Sequence, residues 1–164
     1  MPTTVEDDYL RSSLFGVEDA LVSTTGMIVG LIAASPSKEF ILLAALVTIA
    51  VEASSMGAGE FLSERAVHQL EKDDLKSENF IFGGLIMFAS YALAGLIPVL
   101  PIMFFPLPEA GFISVICAFI GLYLLGYIKG KIVKINRNRS GLEMLIVGGI
   151  AAAIGIAVGL LLKI

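Results

Sequence analysis

The sequence is poor in cysteine, histidine and charged residues. It has one cysteine and one histidine among 164 residues, and only 16% of its residues are charged. A single cysteine, Cys117, excludes a disulfide within the chain and a CxxC metal motif. A single histidine, His68, disfavours a di-iron enzyme, because such centres usually take Glu-x-x-His pairs from two helices. The low charge disfavours a soluble domain, in which about a quarter of the residues are charged.

Apolar residues occur instead in long blocks. The chain is 57% hydrophobic, and its mean hydropathy is +0.90. Blocks of about twenty apolar residues have the length of transmembrane helices. We therefore predict an all-α integral membrane protein with one transmembrane domain over residues 1–164. Its five predicted spans cover approximately residues 15–34, 40–63, 80–104, 111–128 and 142–162.

The segments beside and within these spans carry further predictions. Residues 1–14 are polar and lack the basic segment and cleavage site of a signal peptide, so we expect a mature chain that begins with a short interfacial helix. Ser-Pro-Ser at 35–37 predicts the end of the first span. Pro98 and Pro101 predict a kink or break in the third span.

The distribution of lysine and arginine predicts the orientation. Five spans put the termini on opposite sides, and a cytoplasmic N-terminus leaves only Lys38 and Lys163 outside. The cytoplasmic segments then hold Arg11, Arg65, Lys72, Lys76, Lys129, Lys131, Lys134, Arg137 and Arg139. By the positive-inside rule, we expect the N-terminus in the cytoplasm and the C-terminus outside or in a lumen. The basic loop at 129–141 fits this topology and lipid headgroups, and we expect no nucleic-acid partner.

The second span carries an acidic ladder. Glu52, Met56, Glu60 and Glu64 follow one another at four-residue steps, which places them on one slowly winding stripe of a helix. A carboxylate inside a bilayer costs about 2.5–3.5 kcal/mol on insertion scales, so several on one span indicate a function. Carboxylate oxygens suit Fe²⁺ and Mn²⁺, and a thioether shifts the preference towards softer metals. The ladder therefore predicts a transmembrane path for a divalent transition metal.

The first span adds Glu18 and Asp19, which we expect at a depth near Glu60 because the two spans run in opposite directions. Burial favours the protonated form of an unpaired carboxylate, and metal binding displaces that proton. Exchange of metal for protons is therefore the predicted coupling. The candidate ion-pathway residues are Asp19, Glu52, Met56, Glu60, Glu18 and Glu64, and no catalytic residue is assigned.

Smaller features complete the pattern. GxxxG pairs predict close helix packing, and they are Gly26–Gly30, Gly126–Gly130 and Gly155–Gly159. Gly57 and Gly59 offer room for an ion beside Met56. We interpret Met27, Met87, Met103, Tyr91 and Tyr123 as packing residues. The loop at 64–79 offers a minor metal-collecting surface made of Glu64, His68, Glu71, Asp73, Asp74 and Glu78.

Several segments together resemble the vacuolar iron transporter family, which includes yeast-type calcium-cross-complementer and nodulin-21-like proteins. They are GVEDALVSTTGMIVGL, EASSMGAGEFLSERA, ALAGLIPVLP and RSGLEMLIVGGIAAAIGIAVGLL. The resemblance implies a five-helix homodimer with the ion path between subunits. It also implies an antiporter that exports cytosolic Fe²⁺, often with Mn²⁺, in exchange for protons and without a prosthetic group. By position, Asp19, Met56 and Glu60 match residues of the family's pathway.

The chain departs from this family in three places. Glu18 and Ala20 flank Asp19 where the family more often has an uncharged residue and glycine, and Glu52 is not assigned to a family position. Only a short loop joins the second and third spans, so the cytoplasmic metal-binding insert of plant and fungal members is absent. This short form favours a prokaryotic plasma membrane, with a vacuolar-type membrane as the alternative.

Three other functions remain open from the residues themselves. The first is a non-transporting membrane subunit, in which the carboxylates would only join helices. The same path would also suit another cation, such as protons or calcium. A membrane metalloenzyme is disfavoured by the single histidine, so we expect no enzymatic activity.

Overall fold

The computed structural model describes residues 5–34, 37–71 and 77–161, and these residues form five helices. They are α1 (Val5–Ala33), α2 (Lys38–Glu71), α3 (Ser77–Phe104), α4 (Leu107–Ile132) and α5 (Arg137–Leu161). Each helix is long and apolar enough to cross a membrane. Within the described ranges there is no β-strand, and the predicted five-helix all-α membrane fold is confirmed.

The first two helices extend beyond their predicted spans. α1 begins at Val5, so the predicted interfacial helix and the first span form one continuous helix of 29 residues. The hydroxyl of Ser13 donates to the Leu10 carbonyl one turn earlier, and no proline interrupts the helix before Pro36. α2 has 34 residues, which at 1.5 Å per residue exceeds the roughly 30 Å of a hydrocarbon core. The polar ends of both helices therefore continue past the apolar layer.

The prolines of α3 do not break the helix. α3 continues through Pro98 and Pro101 to Phe104, so the helix is not broken there, and the alternative, a kink, stays a prediction. Beside them, the Ser114 hydroxyl of α4 donates a 2.6 Å hydrogen bond to the Pro98 carbonyl. The amide of Phe105 also reaches the Pro101 carbonyl at 3.0 Å. α4 thus contacts the proline-containing part of α3 through a side-chain hydrogen bond.

α1 occupies the centre of the bundle. It packs against each of the other four helices, whereas α2 packs mainly on α3 and makes a smaller contact with α1. Leu21 and Ile28 of α1 are fully buried, as are Tyr91 and Ile102 of α3. This arrangement sets α1 and α2 side by side with room for polar side chains between them.

Glycine makes the contact between α1 and α5. A Cβ atom added at Gly155 would lie 2.6 Å from the Gly26 carbonyl oxygen, and one added at Gly30 would lie 2.9 Å from the Gly155 carbonyl oxygen. The α4 pair behaves in the same way, since a Cβ at Gly126 would lie 2.5 Å from the Ser140 carbonyl oxygen. The predicted role of the glycine pairs is therefore confirmed, because only small residues let these backbones approach so closely.

Candidate ion pathway

Three helices meet around the carboxylate of Glu52. Tyr91 of α3 is fully buried, and its hydroxyl donates a hydrogen bond to Glu52 Oε2. Ser23 of α1 lies with its Oγ 2.7 Å from the Tyr91 hydroxyl and donates to Glu52 Oε2 at 3.4 Å. We call Ser23, Glu52 and Tyr91, with the neighbouring Asp19, the inner cluster. Its hydrogen-bond donors to the carboxylate are neutral hydroxyls.

Asp19 belongs with Glu52. The two carboxylates are close enough for their charges to interact, and neither side chain is fully exposed. Ser12–Glu60 and Ser23–Glu52 contacts set the antiparallel register of α1 against α2. In that register Asp19 lies opposite the turn at 53–56, about one to two helical turns from Glu60 along α2. The stagger of two helices depends on side-chain contacts that hydrophobic length does not specify.

A second acidic group lies further along α2. One nitrogen of Arg11, Nη2, is 2.9 Å from Glu64 Oε1 and 3.4 Å from Glu60 Oε1. The Ser12 hydroxyl donates to the same oxygen of Glu60. We call Arg11, Ser12, Glu60 and Glu64 the outer cluster. Its carboxylates are paired with a cation of the protein itself.

The structure describes only part of the predicted collecting surface around Glu64. Asp8 and His68 both interact electrostatically with Glu64. The His68 ring packs on Phe80 with 5.1 Å between ring centroids, and in the described part of the chain its Nδ1 has no hydrogen-bond partner. Asp73 and Asp74 lie outside the described residues, as do the side chains of Glu71 and Glu78.

The remaining candidates divide between the clusters. Met56 is partly buried and packs against the apolar residues around Tyr91, so it accompanies the inner cluster. Glu18 interacts with Lys129 of α4 as well as with Asp19. Across residues 5–34, 37–71 and 77–161, no three histidine, cysteine or carboxylate side chains are placed to hold a metal ion. The single chain therefore brings candidate ligands together in pairs.

The glycines beside Met56 have different environments. A Cβ at Gly57 would lie 2.8 Å from the Gly84 carbonyl oxygen of α3, so Gly57 serves helix packing and leaves no space for an ion. Gly59 has no atom within 4 Å of such a Cβ. Ser54, Ser55 and Ala58 are also exposed, so this part of α2 presents small residues on its outer surface.

Sequence reasoning missed the partners of the carboxylates. Tyr91 was predicted to pack, and it is buried, but its hydroxyl also holds Glu52. The available signal was chemical, because a buried tyrosine hydroxyl usually needs a polar partner. Arg11 entered the prediction only through topology. Arg11 is the one basic residue in the acidic segment EDDYLRSS, which made it a candidate ion-pair partner. The sequence did not indicate that its partners would be Glu60 and Glu64 of α2.

Comparisons with known proteins agree with this architecture. The model of the VIT family matches residues 10–82 and 78–160, which together span all five helices. The chain is 29% identical to vacuolar iron transporter homolog 2 of Oryza sativa subsp. japonica, covering 92% of this chain and 88% of the relative. It is 26% identical to vacuolar iron transporter homolog 2 of Arabidopsis thaliana, covering 89% and 80%.

A longer relative has residues that this chain lacks. The vacuolar iron transporter of Toxoplasma gondii is 22% identical over 242 aligned positions, which cover 99% of this chain and 77% of the relative. Since this chain has 164 residues, the relative carries additional residues inside the aligned region. The family match divides at residues 78–82, just after the connection between α2 and α3. The protein belongs to the VIT family, as an integral membrane member with five membrane-length helices.

Proposed function

We propose that this protein exports Fe²⁺ from the cytoplasm in exchange for protons, with Mn²⁺ as a second cargo. The observation that carries the proposal is the Glu52 carboxylate held by Tyr91 and Ser23 inside the membrane-length part of the bundle, with Asp19 of α1 near enough to interact with it electrostatically. Ionisable residues at membrane depth usually mark ion or proton pathways. The names of the relatives, vacuolar iron transporters and their homologs, support iron as the cargo.

The chemistry of the inner cluster suits this exchange. A divalent cation neutralises two carboxylates, and two protons do the same, so either cargo relieves the repulsion between Asp19 and Glu52. Tyr91 and Ser23 orient the Glu52 carboxylate through their hydroxyls. The thioether of Met56 beside them would favour Fe²⁺ over Mg²⁺ or Ca²⁺. The protein thus supplies binding and orientation, and the transport needs no prosthetic group and no enzymatic step.

We propose that the working unit is a homodimer with the ion path between its subunits. The described part of one chain places no three metal-binding side chains together, so a second copy would complete a site. The exposed small residues of α2, Ser54, Ser55, Ala58 and Gly59, would let two such helices approach closely. Met56 and Glu60 lie on the same helix and would then be duplicated about the symmetry axis.

The orientation follows from the basic residues. With the N-terminus in the cytoplasm and the C-terminus outside or in a lumen, the outer cluster faces the cytoplasm and receives cations from that side. We propose a prokaryotic plasma membrane as the location, because the segment between α2 and α3 is too short for a separate metal-binding domain. A vacuolar-type membrane is the alternative that the relatives' names favour.

Metal uptake by proteoliposomes tests the proposal. We expect purified protein to take up Fe²⁺ and Mn²⁺ with counterflow of protons. Asp19→Asn, Met56→Leu and Glu60→Gln should each reduce that uptake, and the metal-driven proton flux should fall with it. Glu143→Gln is the matched control, since Glu143 is an exposed acid outside both clusters. Full activity in all three variants would indicate that the carboxylates only join helices. Competition with Zn²⁺ and Ca²⁺ would identify the preferred cargo.

A further inference from the structure

Arg11 occupies the position of a bound cation. Its Nη2 lies between two carboxylates, 2.9 Å from Glu64 and 3.4 Å from Glu60. These distances place the positive charge of the guanidinium where an incoming ion would bind the same two oxygens. Ser12, the next residue on α1, donates to Glu60 and so holds α1 against this part of α2. The outer cluster is therefore already filled by the protein's own cation.

The two sides of this ion pair differ in their exposure. The side chains of Glu60 and Glu64 are 12% and 8% exposed, whereas that of Arg11 is 62% exposed. A largely hydrated guanidinium leaves an ion pair at low cost. The carboxylates cannot follow it into water, and buried charges without a partner are strongly unfavourable. Departure of Arg11 therefore creates a pair of carboxylates that requires another cation.

We propose that Arg11 is a specificity-determining residue, a tethered cation that divalent ions displace from Glu60 and Glu64 and monovalent ions do not. A monovalent ion would only replace one positive charge with another, whereas a divalent ion neutralises both carboxylates. Asp8 also interacts with Glu64, and its charge further favours the divalent ion, although His68 interacts with the same carboxylate. This inference rests on the proposed export function, for which the outer cluster is the cytoplasmic access point.

Removal of the tethered charge is the direct test. In the full-length Arg11→Gln variant, we expect Mn²⁺ to bind about three- to tenfold more tightly, because it no longer competes with a partly exposed ion pair. Binding is measured by electron paramagnetic resonance of Mn²⁺ with purified protein. In proteoliposomes the KM for Mn²⁺ should fall by a similar factor with little change in kcat. Na⁺ should inhibit the variant more than the wild type, because the open carboxylate pair now accepts monovalent ions.

Two further variants keep the test decisive. Arg65→Gln removes a charge from the exposed residue next to Glu64, and we expect wild-type binding and kinetics from it. Arg11→Lys keeps the charge but not the planar guanidinium, so its dissociation constant should lie between those of the wild type and Arg11→Gln. If Arg11→Gln does not yield a folded protein, the Mn²⁺ dissociation constant of Arg11→Lys decides the test.

Unchanged or weaker Mn²⁺ binding in the folded Arg11 variants would overturn the inference and assign Arg11 a structural role. An equal gain in affinity in Arg65→Gln would also overturn it, since any lost positive charge would then suffice. Binding is measured without transport. A wild type that takes up no metal would therefore refute the export function, while the affinities of the Arg11 variants would still decide the role of the guanidinium.

Discussion

The inner and outer clusters hold similar carboxylates in different ways. Around Glu52 the donors are the neutral hydroxyls of Tyr91 and Ser23, and the nearby Asp19 adds a second negative charge. Around Glu60 and Glu64, a guanidinium supplies the compensating charge. The protein therefore neutralises only part of the charge of the outer cluster with its own cation, whereas the charge of the inner cluster must be neutralised by protons or by a metal ion. This difference assigns cation selection to the outer cluster and proton exchange to the inner one.

Both clusters depend on the position of α1, so the largest effect should come from displacing that helix. In Gly155→Ala the new Cβ would lie 2.6 to 2.9 Å from backbone atoms of Gly26, and we expect a loss of about 1–3 kcal/mol in unfolding free energy, as overpacking costs. Thermal unfolding in detergent, followed by circular dichroism, measures it. Gly149→Ala is the control, since its Cβ would meet only Phe119 at 3.8 Å. Equal stability of the two variants would contradict the close contact between α1 and α5.

The next largest effect should come from the inner carboxylate. We expect Glu52→Gln to reduce metal uptake to below about one hundredth of the wild-type rate. This loss exceeds the one expected when a residue that only orients a metal ligand is removed. The amide cannot exchange a proton for a metal ion, and it leaves Asp19 as the cluster's only carboxylate. Uptake and internal pH are measured in the same proteoliposomes. Uptake within twofold of the wild type would reduce Glu52 to a packing role.

Removal of the tyrosine hydroxyl tests whether the orientation of Glu52 matters. We expect Tyr91→Phe to keep the fold, because the ring stays buried, and to weaken the apparent metal affinity by about tenfold, as loss of a positioning hydrogen bond does. Metal titration of transport rates measures this affinity. Tyr123→Phe is the matched control, since its hydroxyl contacts the exposed Asn138 instead. If both variants lose affinity equally, the Tyr91 hydroxyl has no special role.

The smallest effect should come from the serines, one in each cluster. We expect Ser23→Ala to weaken the apparent affinity by about two- to fivefold, the range of a neutral hydrogen bond. Ser12→Ala should have a smaller effect, because Arg11 still holds Glu60. Metal titrations of the two variants sharpen the comparison between the clusters. A larger loss of affinity in Ser12→Ala than in Ser23→Ala would contradict this comparison. It would mean that Glu60 depends on the serine hydroxyl more than Glu52 does.

The sequence was sufficient to predict the fold and the residues at the close helix contacts. Long apolar blocks predicted five helices, and glycine spacing predicted which residues allow close contact. The carboxylates of the second span were recognised because charge at membrane depth is costly. These features are local in the chain, and their physical meaning does not depend on which helices become neighbours.

The arrangement within the site was not predictable in the same way. Glu52 and Tyr91 are 39 residues apart, and Arg11 and Glu64 are 53 apart, so their contacts depend on helix stagger and rotation. The register of α1 against α2 places Asp19 opposite the turn at 53–56, about one to two helical turns from Glu60 along α2. Pro98 and Pro101 lie inside a continuous α3, and the contact of the Ser114 hydroxyl of α4 with the Pro98 carbonyl was not predictable from the sequence.

Simultaneous recording of Mn²⁺ and H⁺ flux in proteoliposomes tests the proposed exchange most directly. When the initial pH is equal on both sides, a Mn²⁺ gradient should drive protons in the opposite direction. A pH gradient alone should likewise drive the transport of Mn²⁺. Both fluxes should disappear together in Glu52→Gln and persist in Glu143→Gln. Metal uptake without proton movement, or equal coupled flux in Glu52→Gln, would contradict proton-coupled export through the inner cluster.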